Sequence, residues 1–172
     1  MVSEIRMRSI ESIGPAELVG LSDVLIDCVQ GGASVSFMWP MTLEKAEKFW
    51  SGALDSARRG EREVIVAEDE HGIVGTVQVV WAQPENQPHR ADIAKMLVHR
   101  RARRRGVGAL LLQAAEHAAL DKRKTVLVLD TASHEAARLY ARAGWQRCGT
   151  IPHYALLPDG AFCDTVVFYK LL

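Results

Sequence analysis

The run Lys95-Met96-Leu97-Val98-His99-Arg100-Arg101-Ala102-Arg103-Arg104-Arg105-Gly106-Val107-Gly108-Ala109 decides how this chain is read. Residues 90–99 have the composition of a strand and lead into a basic loop. The loop delivers Gly106 and Gly108 to the start of an apolar segment, residues 106–119, with Leu110, Leu111, Ala114, Ala115 and Ala118 at helical spacing. The first amides of a helix lack partners inside it, and the helix dipole adds positive charge there. Strand, glycine-bearing loop and helix N-terminus in that order make an anion site. Gly106 and Gly108 keep side chains away from the amides, and Arg103, Arg104 and Arg105 add charge suited to a di- or triphosphate-like group. The spacing is neither the glycine fingerprint of dinucleotide folds nor a P-loop, because no Gly-Lys-Ser/Thr follows. Taken alone, the arginines also fit a solvated face or a basic targeting run.

Upstream, Ile5, Met7 and Ser9 alternate with Glu4, Arg6 and Arg8, the period of a first strand. Pro15 suits the first turn of a helix whose apolar face is Leu18, Leu21, Leu25 and Val29, ended by Gly31 and Gly32. Thr42 caps a second helix over residues 42–59. Residues 63–68 and 73–81, rich in Val and Ile, flank the turn Asp69-Glu70-His71-Gly72 and read as a hairpin. Downstream, residues 125–129 read as a buried central strand, residues 133–143 as a helix stopped by Gly144, and residues 145–150 and 162–170 as two last strands. The order β-α-α-β-β-β-α-β-α-β-β, without repeats or long linkers, predicts one α/β domain over residues 1–172.

Composition narrows the function. With 48% apolar residues the 172-residue chain can bury a core. Lysine plus arginine (21) equal aspartate plus glutamate (21), so no overall charge draws the chain to nucleic acid or membrane. Cys28, Cys148 and Cys163 are odd in number and widely spaced, which argues against a disulfide framework and a zinc site and for reduced thiols in the cytoplasm. His71, His89, His99, His117 and His134 show no ligand spacing and are expected at the surface, so no metal is expected. Residues 1–6 lack the order of a signal peptide, and no apolar run approaches the roughly 20 residues of a membrane span.

The spacing Arg103-x-x-Gly106-x-Gly108, after a fourth strand and before a helix, resembles the acetyl-CoA signature of the GNAT superfamily of N-acetyltransferases, Gln/Arg-x-x-Gly-x-Gly/Ala. A second stretch, Ser133-His134-Glu135-Ala136-Ala137-Arg138-Leu139-Tyr140-Ala141-Arg142-Ala143-Gly144-Trp145, resembles that family's Asn-x-x-Ala-x-x-Leu-Tyr-x-x-x-Gly-Phe. Ser133 stands where the family has asparagine, a position that bonds the cofactor, and Trp145 stands for phenylalanine. Gly31-Gly32-Ala33-Ser34-Val35, Leu129-Asp130-Thr131 and Pro158-Asp159-Gly160 look like the tabtoxin-resistance acetyltransferases, which acetylate a toxic amino-acid analogue.

The resemblance implies a mixed, strongly twisted, mostly antiparallel sheet with helices on both faces, and acetyl-CoA between splayed strands 4 and 5. It implies that the backbone of Met96, Leu97 and Val98 pairs with the pantetheine arm. Amides from Arg103 through Arg104, Arg105, Gly106, Val107 and Gly108 to Ala109 would hold the pyrophosphate. Transfer to an amine needs a base to deprotonate the nitrogen and an acid for the departing thiolate. Tyr140 is the expected acid by resemblance. Asp92, flanked by Ala91 and Ile93, and Asp130, ending Val126-Leu127-Val128-Leu129, are the candidate bases; backbone hydrogen bonding or pairing with Arg90 would equally explain either.

Residues 31–39, with Ser34, Phe37 and Trp39, and also Trp81, are expected to border the acceptor; packing or a dimer contact would account for them as well. His153 and Tyr154 are weaker candidates for the same wall. No cysteine has the His-Asp partnership of a nucleophile. The function that follows is direct acetyl transfer to the amine of a small molecule, amino-acid-like or antibiotic-like, in the cytoplasm, with a homodimer the assembly the family implies. The alternatives are an acyl-CoA sensor without turnover, a nucleic-acid-binding module built on the arginines, and acetylation of a polyamine or a protein N-terminus.

Overall fold

Chain order decides the sheet. The computed structural model describes residues 4–10, 12 and 14–172, and its elements follow the expected order. They are β1 (Arg6–Ser9), α1 (Pro15–Gln30), α2 (Leu43–Arg58), β2 (Arg62–Asp69), β3 (Gly72–Trp81), β4 (Arg90–Val98), α3 (Val107–Asp121), β5 (Val126–Thr131), α4 (His134–Arg142), β6 (Gln146–Leu156) and β7 (Phe162–Leu171). A 3₁₀ turn, Arg100–Ala102, lies between β4 and α3. Met1, Val2 and Ser3, the start of the stretch read against a leader, lie outside the described residues. Among the described residues no helix is long and apolar enough to cross a membrane.

The strands form one seven-stranded sheet in the order β1-β2-β3-β4-β5-β7-β6. Consecutive strands joined by tight turns pair antiparallel, as hairpins must. The single parallel pair, β4 with β5, is the one whose connection carries a helix, α3. Between β5 and β6 the chain passes through α4, and β7 inserts between those two strands.

Alternation along the strands sends side chains to two cores. On one face Val64, Val66 and Leu97 pack with Leu21, Leu25 and Val29 of α1 and Trp50 and Leu54 of α2. On the other, Ile65, Val77, Val79, Ile93, Leu127 and Leu129 pack with α3, with Tyr140 of α4 and with Trp145. Helices therefore cover both faces. The α1 stripe is as expected, with Leu21, Leu25 and Val29 fully buried. That of α3 is rotated by one position: Val107, Leu111, Leu112, Ala115 and Ala119 are buried, while Leu110 is 39% exposed. Val107, the first helical residue, already packs in the core and sets the four-residue series below it.

Two strands are irregular. The register of β3 on β4 jumps between Thr76↔Leu97 and Gln78↔Ala94, so β4 carries a bulge at Lys95 and Met96, with Lys95 at φ 49. On β6 the register shifts between Ile151 and Ala155, and the strand runs on to Leu156 rather than ending near residue 150. Pro152 is tolerated there because β6 is an edge strand, with no outer neighbour among the described residues to donate to.

Candidate active site

β4 and β5 pair over three positions only, Arg90↔Val126, Ala91↔Leu127 and Asp92↔Val128. Beyond them the strands part. β3 and β7 still hold the outer edges, so the inner edge of β4 past Asp92 has no strand beside it. The opening is a cleft of about 300 Å³ lined by Asp92, Ile93, Ala94, Val128, Leu129, Asp130, Tyr154 and Val167. Met96, Leu97 and Val98 continue that inner edge. The Val98 carbonyl already accepts from Arg103 Nε at 3.2 Å.

At the end of β4 the basic loop is held from below by two acids the motif does not contain. Asp27 of α1, buried, accepts from the Arg100 amide at 2.9 Å and pairs with the Arg100 guanidinium. Asp69, at the end of β2, accepts from Arg101 Nη1 with both oxygens at 2.8 Å and lies 3.4 Å from Arg105 Nη1. His99, expected at the surface, is instead largely enclosed: its side chain is 15% exposed, its Nδ1 accepts from the Arg101 amide at 3.1 Å, and Nε2 lies 3.5 Å from Asp23 and 3.7 Å from Asp27. The other four histidines singled out above are exposed. Arg103 and Arg104 stay exposed on the loop, while Arg105 is turned toward Asp69.

The two loop glycines do different work. Gly106 is the residue before α3 and sits at φ 79, where a side chain is strained by about 1–2 kcal/mol. Gly108 lies inside the helix, and a Cβ there would meet Leu139 Cδ2 of α4 at 3.2 Å. Its smallness lets α3 approach α4. Ala109 and Leu110 donate to the Gly106 carbonyl at 3.0 and 3.2 Å. The Val107 and Gly108 amides before them make no such backbone bond among the described residues. Open amides beside Arg103 and Arg104 fit a pyrophosphate. Ser133 is the N-cap of α4, its Oγ accepting from the Ala136 amide at 3.2 Å, and it is exposed.

Asp92 and Asp130 line the cleft, while Tyr140 lies buried in the core under α4 and is not among the lining residues. Asp92 and Val128 are register partners, so Asp92 and Asp130 share the sheet face that α1 and α2 cover. Asp92 sits 3.2 Å from Arg90 Nη1; burial still pushes its carboxyl above the ordinary value, Arg90 opposes that, and the Asp130 charge adds to it. Asp130 is exposed and accepts from the buried Thr165 hydroxyl at 2.7 Å. Tyr140 packs between Trp145 and Phe168, and its hydroxyl makes no hydrogen bond among the described residues. Burial, then the Asp130 charge, hold that phenol well above its usual range, so it remains a proton donor.

Ser34 Oγ donates to the Leu156 carbonyl at 3.2 Å, and the Trp39 amide donates to the Pro158 carbonyl at 3.1 Å. Residues 31–39 thus meet the β6–β7 hairpin. Phe37 stacks edge-on against Phe49, and Trp39 is 50% exposed. Trp81 is not among the cleft residues. It pairs with Ala91 at the closed end of the sheet, buried in the core with Lys124 Nζ 5.6 Å from its ring centroid. Its place at the end of β3, before the strands part, is what removes it from the opening.

Residues 60–147, about half of the chain, match the model of the Acetyltransferase (GNAT) domain. The chain belongs to the GNAT acetyltransferase family. Among solved structures, this GNAT acetyltransferase is similar to the ribosomal-protein-alanine N-acetyltransferase of Brucella melitensis, at 25% identity and TM-score 0.78 over 97% of this chain and 99% of that one. It shares its fold with an N-acetyltransferase from Staphylococcus aureus Mu50, at 19% identity and TM-score 0.81 over 98% and 99% of the two chains. The same holds for an acetyltransferase from Salmonella typhimurium solved with its cofactor acetyl-CoA, at 18% identity and TM-score 0.77 over 98% and 94%. The chain is an acyltransferase of this family, and its mixed, mostly antiparallel sheet is the GNAT fold.

Three features of this GNAT site escaped the sequence. Asp27 and Asp69 look like ordinary helix and turn acids until the fold brings them under the arginines. Lys95 lay inside the quoted run, but only the bulge aims it at Ser36 and the Phe49 ring. Asp69 yields a test. Burial pushes its carboxyl up, but hydrogen bonds from Arg101 and the His71 amide outweigh burial and leave it below the ordinary 3.8. A carboxyl depressed on folding contributes stability that is complete above its unfolded value and lost as pH falls through the folded one. In Asp69→Asn, the melting temperature is therefore expected to fall less steeply than in wild type as pH drops below 3.8. Parallel curves for the two proteins would show that Asp69 adds nothing to the acid limb.

Proposed function

We propose that this acetyltransferase passes the acetyl group of acetyl-CoA directly to the amine of a small, amino-acid-like acceptor, with no covalent enzyme intermediate. The observation that carries the reading is the parting of β4 and β5 after Asp92↔Val128, with Asp92 and Asp130 at the opening and Tyr140 under the influence of Asp130. Acetyl-CoA supplies the electrophilic thioester carbonyl. In this reading the inner edge of β4 at Met96, Leu97 and Val98 pairs with the pantetheine arm. The amides from Arg103 to Ala109, with Arg103 and Arg104, meet the pyrophosphate.

A free alkyl amine holds its proton to a pH near 10.4, so a base is needed before it can attack. Asp92 and Asp130 share that task, one carboxylate gripping the ammonium while the other relays its proton. Burial raises the Asp92 carboxyl, which makes it a stronger base than an exposed aspartate would be. Tyr140 donates to the leaving sulfur. Ser34, Phe37 and Trp39 form the acceptor wall together with Tyr154.

The sequence likeness to tabtoxin-resistance enzymes supports a toxin-like or antibiotic-like amino acid as acceptor. It also goes with a cytoplasmic, single-domain protein acting as a homodimer. A second reading, a protein N-terminus as acceptor, is favoured by the relative that is named a ribosomal-protein-alanine N-acetyltransferase.

Calorimetric titration of the purified chain with acetyl-CoA, with CoA lacking its 3′-phosphate and with a DNA duplex tests the cofactor half. Micromolar acetyl-CoA binding is expected, weakened about ten-fold or more by Gly106→Val or Gly108→Leu, a loss of roughly 1.4 kcal/mol. Absent acetyl-CoA binding with DNA binding in its place would sink the reading and make the arginines a nucleic-acid surface.

A further inference from the structure

We propose that Lys95 binds an anionic group of the acceptor, a carboxylate foremost, so that the enzyme selects amino acids and their analogues over simple amines. This rests on the small-acceptor reading above and names the chemistry that separates it from its rivals.

Lys95 lies in the β4 bulge, three residues past Asp92 on the splayed part of the strand. Its positive φ of 49 turns the side chain toward the segment between α1 and α2. There Nζ donates to Ser36 Oγ at 3.0 Å and stands 5.7 Å from the Phe49 ring centroid. Among the described residues no carboxylate lies within 4.0 Å of it, in contrast to Lys170, which has Glu116 at 2.7 Å. A half-buried ammonium with only a hydroxyl and a ring face for company is under-compensated, because taking a charge from water is costly unless an opposite charge meets it.

The neighbours deepen the deficit. Arg62 reaches Ser56 Oγ at 2.9 Å and Gln78 Oε1 at 2.7 Å, and it too has no carboxylate within 4.0 Å among the described residues. Burial lowers the Lys95 pKa, Asp130 resists, and Arg62 lowers it further. Asp92 and Asp130 thus line the cleft, and the positive Lys95 stands three residues further along β4, within the field of Asp130. An ammonium on the aspartates and a carboxylate on Lys95 complete both ends, which is the charge pattern of a zwitterionic amino acid. A polyamine would place a second cation near Lys95, and a peptide N-terminus would place a neutral amide there.

The test compares matched acceptors with acetyl-CoA and the full chain, following thiol release. L-Lysine and L-methionine are set against their carboxamides, against cadaverine and against an alanine-led peptide amide. The expected result is a kcat/KM at least about ten-fold higher for a free acid than for its carboxamide. In Lys95→Met that ratio should fall toward one through a rise in KM for the acid, and Lys95→Arg should keep most of it. Acetyl-CoA affinity in Lys95→Met reports that the fold is intact. Equal use of acids and amides by wild type, or a preference that survives Lys95→Met, would overturn the inference and leave the acceptor reading standing. Acetylation of the peptide alone would overturn both in favour of a protein N-terminus. Acetylation of no amine would remove the acceptor reading and this inference with it.

Discussion

Asp130→Asn is expected to lower kcat by a hundred-fold or more, within the roughly 10²–10⁴ that general acid–base groups contribute. Few side chains here reach so many others. The Asp130 charge raises the pKa of Asp92, of Tyr140 and of Lys95. Asparagine retains a carbonyl for the Thr165 hydroxyl, now 2.7 Å away, so the end of β5 should keep its place. What is lost is charge. Without it Asp92 ionises more easily, and the acid limb of a kcat/KM profile should move to lower pH. In Asp92→Asn that limb should vanish, because the group that produces it is gone. Turnover against pH for both variants decides the matter. Undiminished rates in both would exclude a carboxylate base, and an unmoved limb in Asp130→Asn would separate the two aspartates.

The second large effect falls on folding. Gly75 pairs with Val98 where β3, β4 and α3 come together. A Cβ on it would stand 2.9 Å from the Leu97 carbonyl oxygen, 3.0 Å from Leu111 Cδ1 and 3.3 Å from Val107 Cγ1. The first of these is backbone and cannot rotate away. Gly75→Val is expected to cost about 1–3 kcal/mol, as overpacking does. At roughly 2–4 °C per kcal/mol for a chain of this size, the loss is readable by thermal melting. Because the displaced atoms belong to the stretch of β4 that parts from β5 and to the start of α3, acetyl-CoA affinity should fall along with stability. A variant that melts like wild type would show that α3 yields without resistance.

The fold was legible because its signals are local. Pro15, Thr42, Gly31 and Gly144 mark helix ends, and runs of Val and Ile bounded by turns mark strands, so each element appears within a few residues of its expected place. The long β6 escaped because Pro152 inside a strand reads as a stop unless the strand is known to be an edge. The α3 face was misjudged by one position because a run containing Leu110, Leu111 and Leu112 supports two overlapping stripes, and only packing chooses between them. At the site, the glycine loop and Tyr140 are carried by short motifs. Asp92 and Asp130 were visible as charges among apolar neighbours. Trp81 lies away from the cleft lining, and an aromatic near the end of a strand gives no hint of which end of the sheet opens. Lys95, Asp27 and Asp69 act through contacts 59, 73 and 32 residues away in sequence, respectively, and no local pattern announces those.

The irregular stretch of β6 has a bearing on the life of the protein outside its reaction. An outer strand of eleven residues presents a row of unsatisfied donors and acceptors, a template on which another chain could add itself. Ile151 and Tyr154 are 45% and 55% exposed, which would make such an addition adhesive. Between Ile151 and Ala155 the ladder to β7 is broken, His153 turns to φ 53, and Pro152 withholds an N–H. The His153 amide is drawn inward to Asp164 Oδ1 at 2.9 Å, away from any newcomer. A kink that brings Tyr154 to the cleft thus also spoils the strand as a seed for fibril-like growth, so straightening it would trade solubility for regularity.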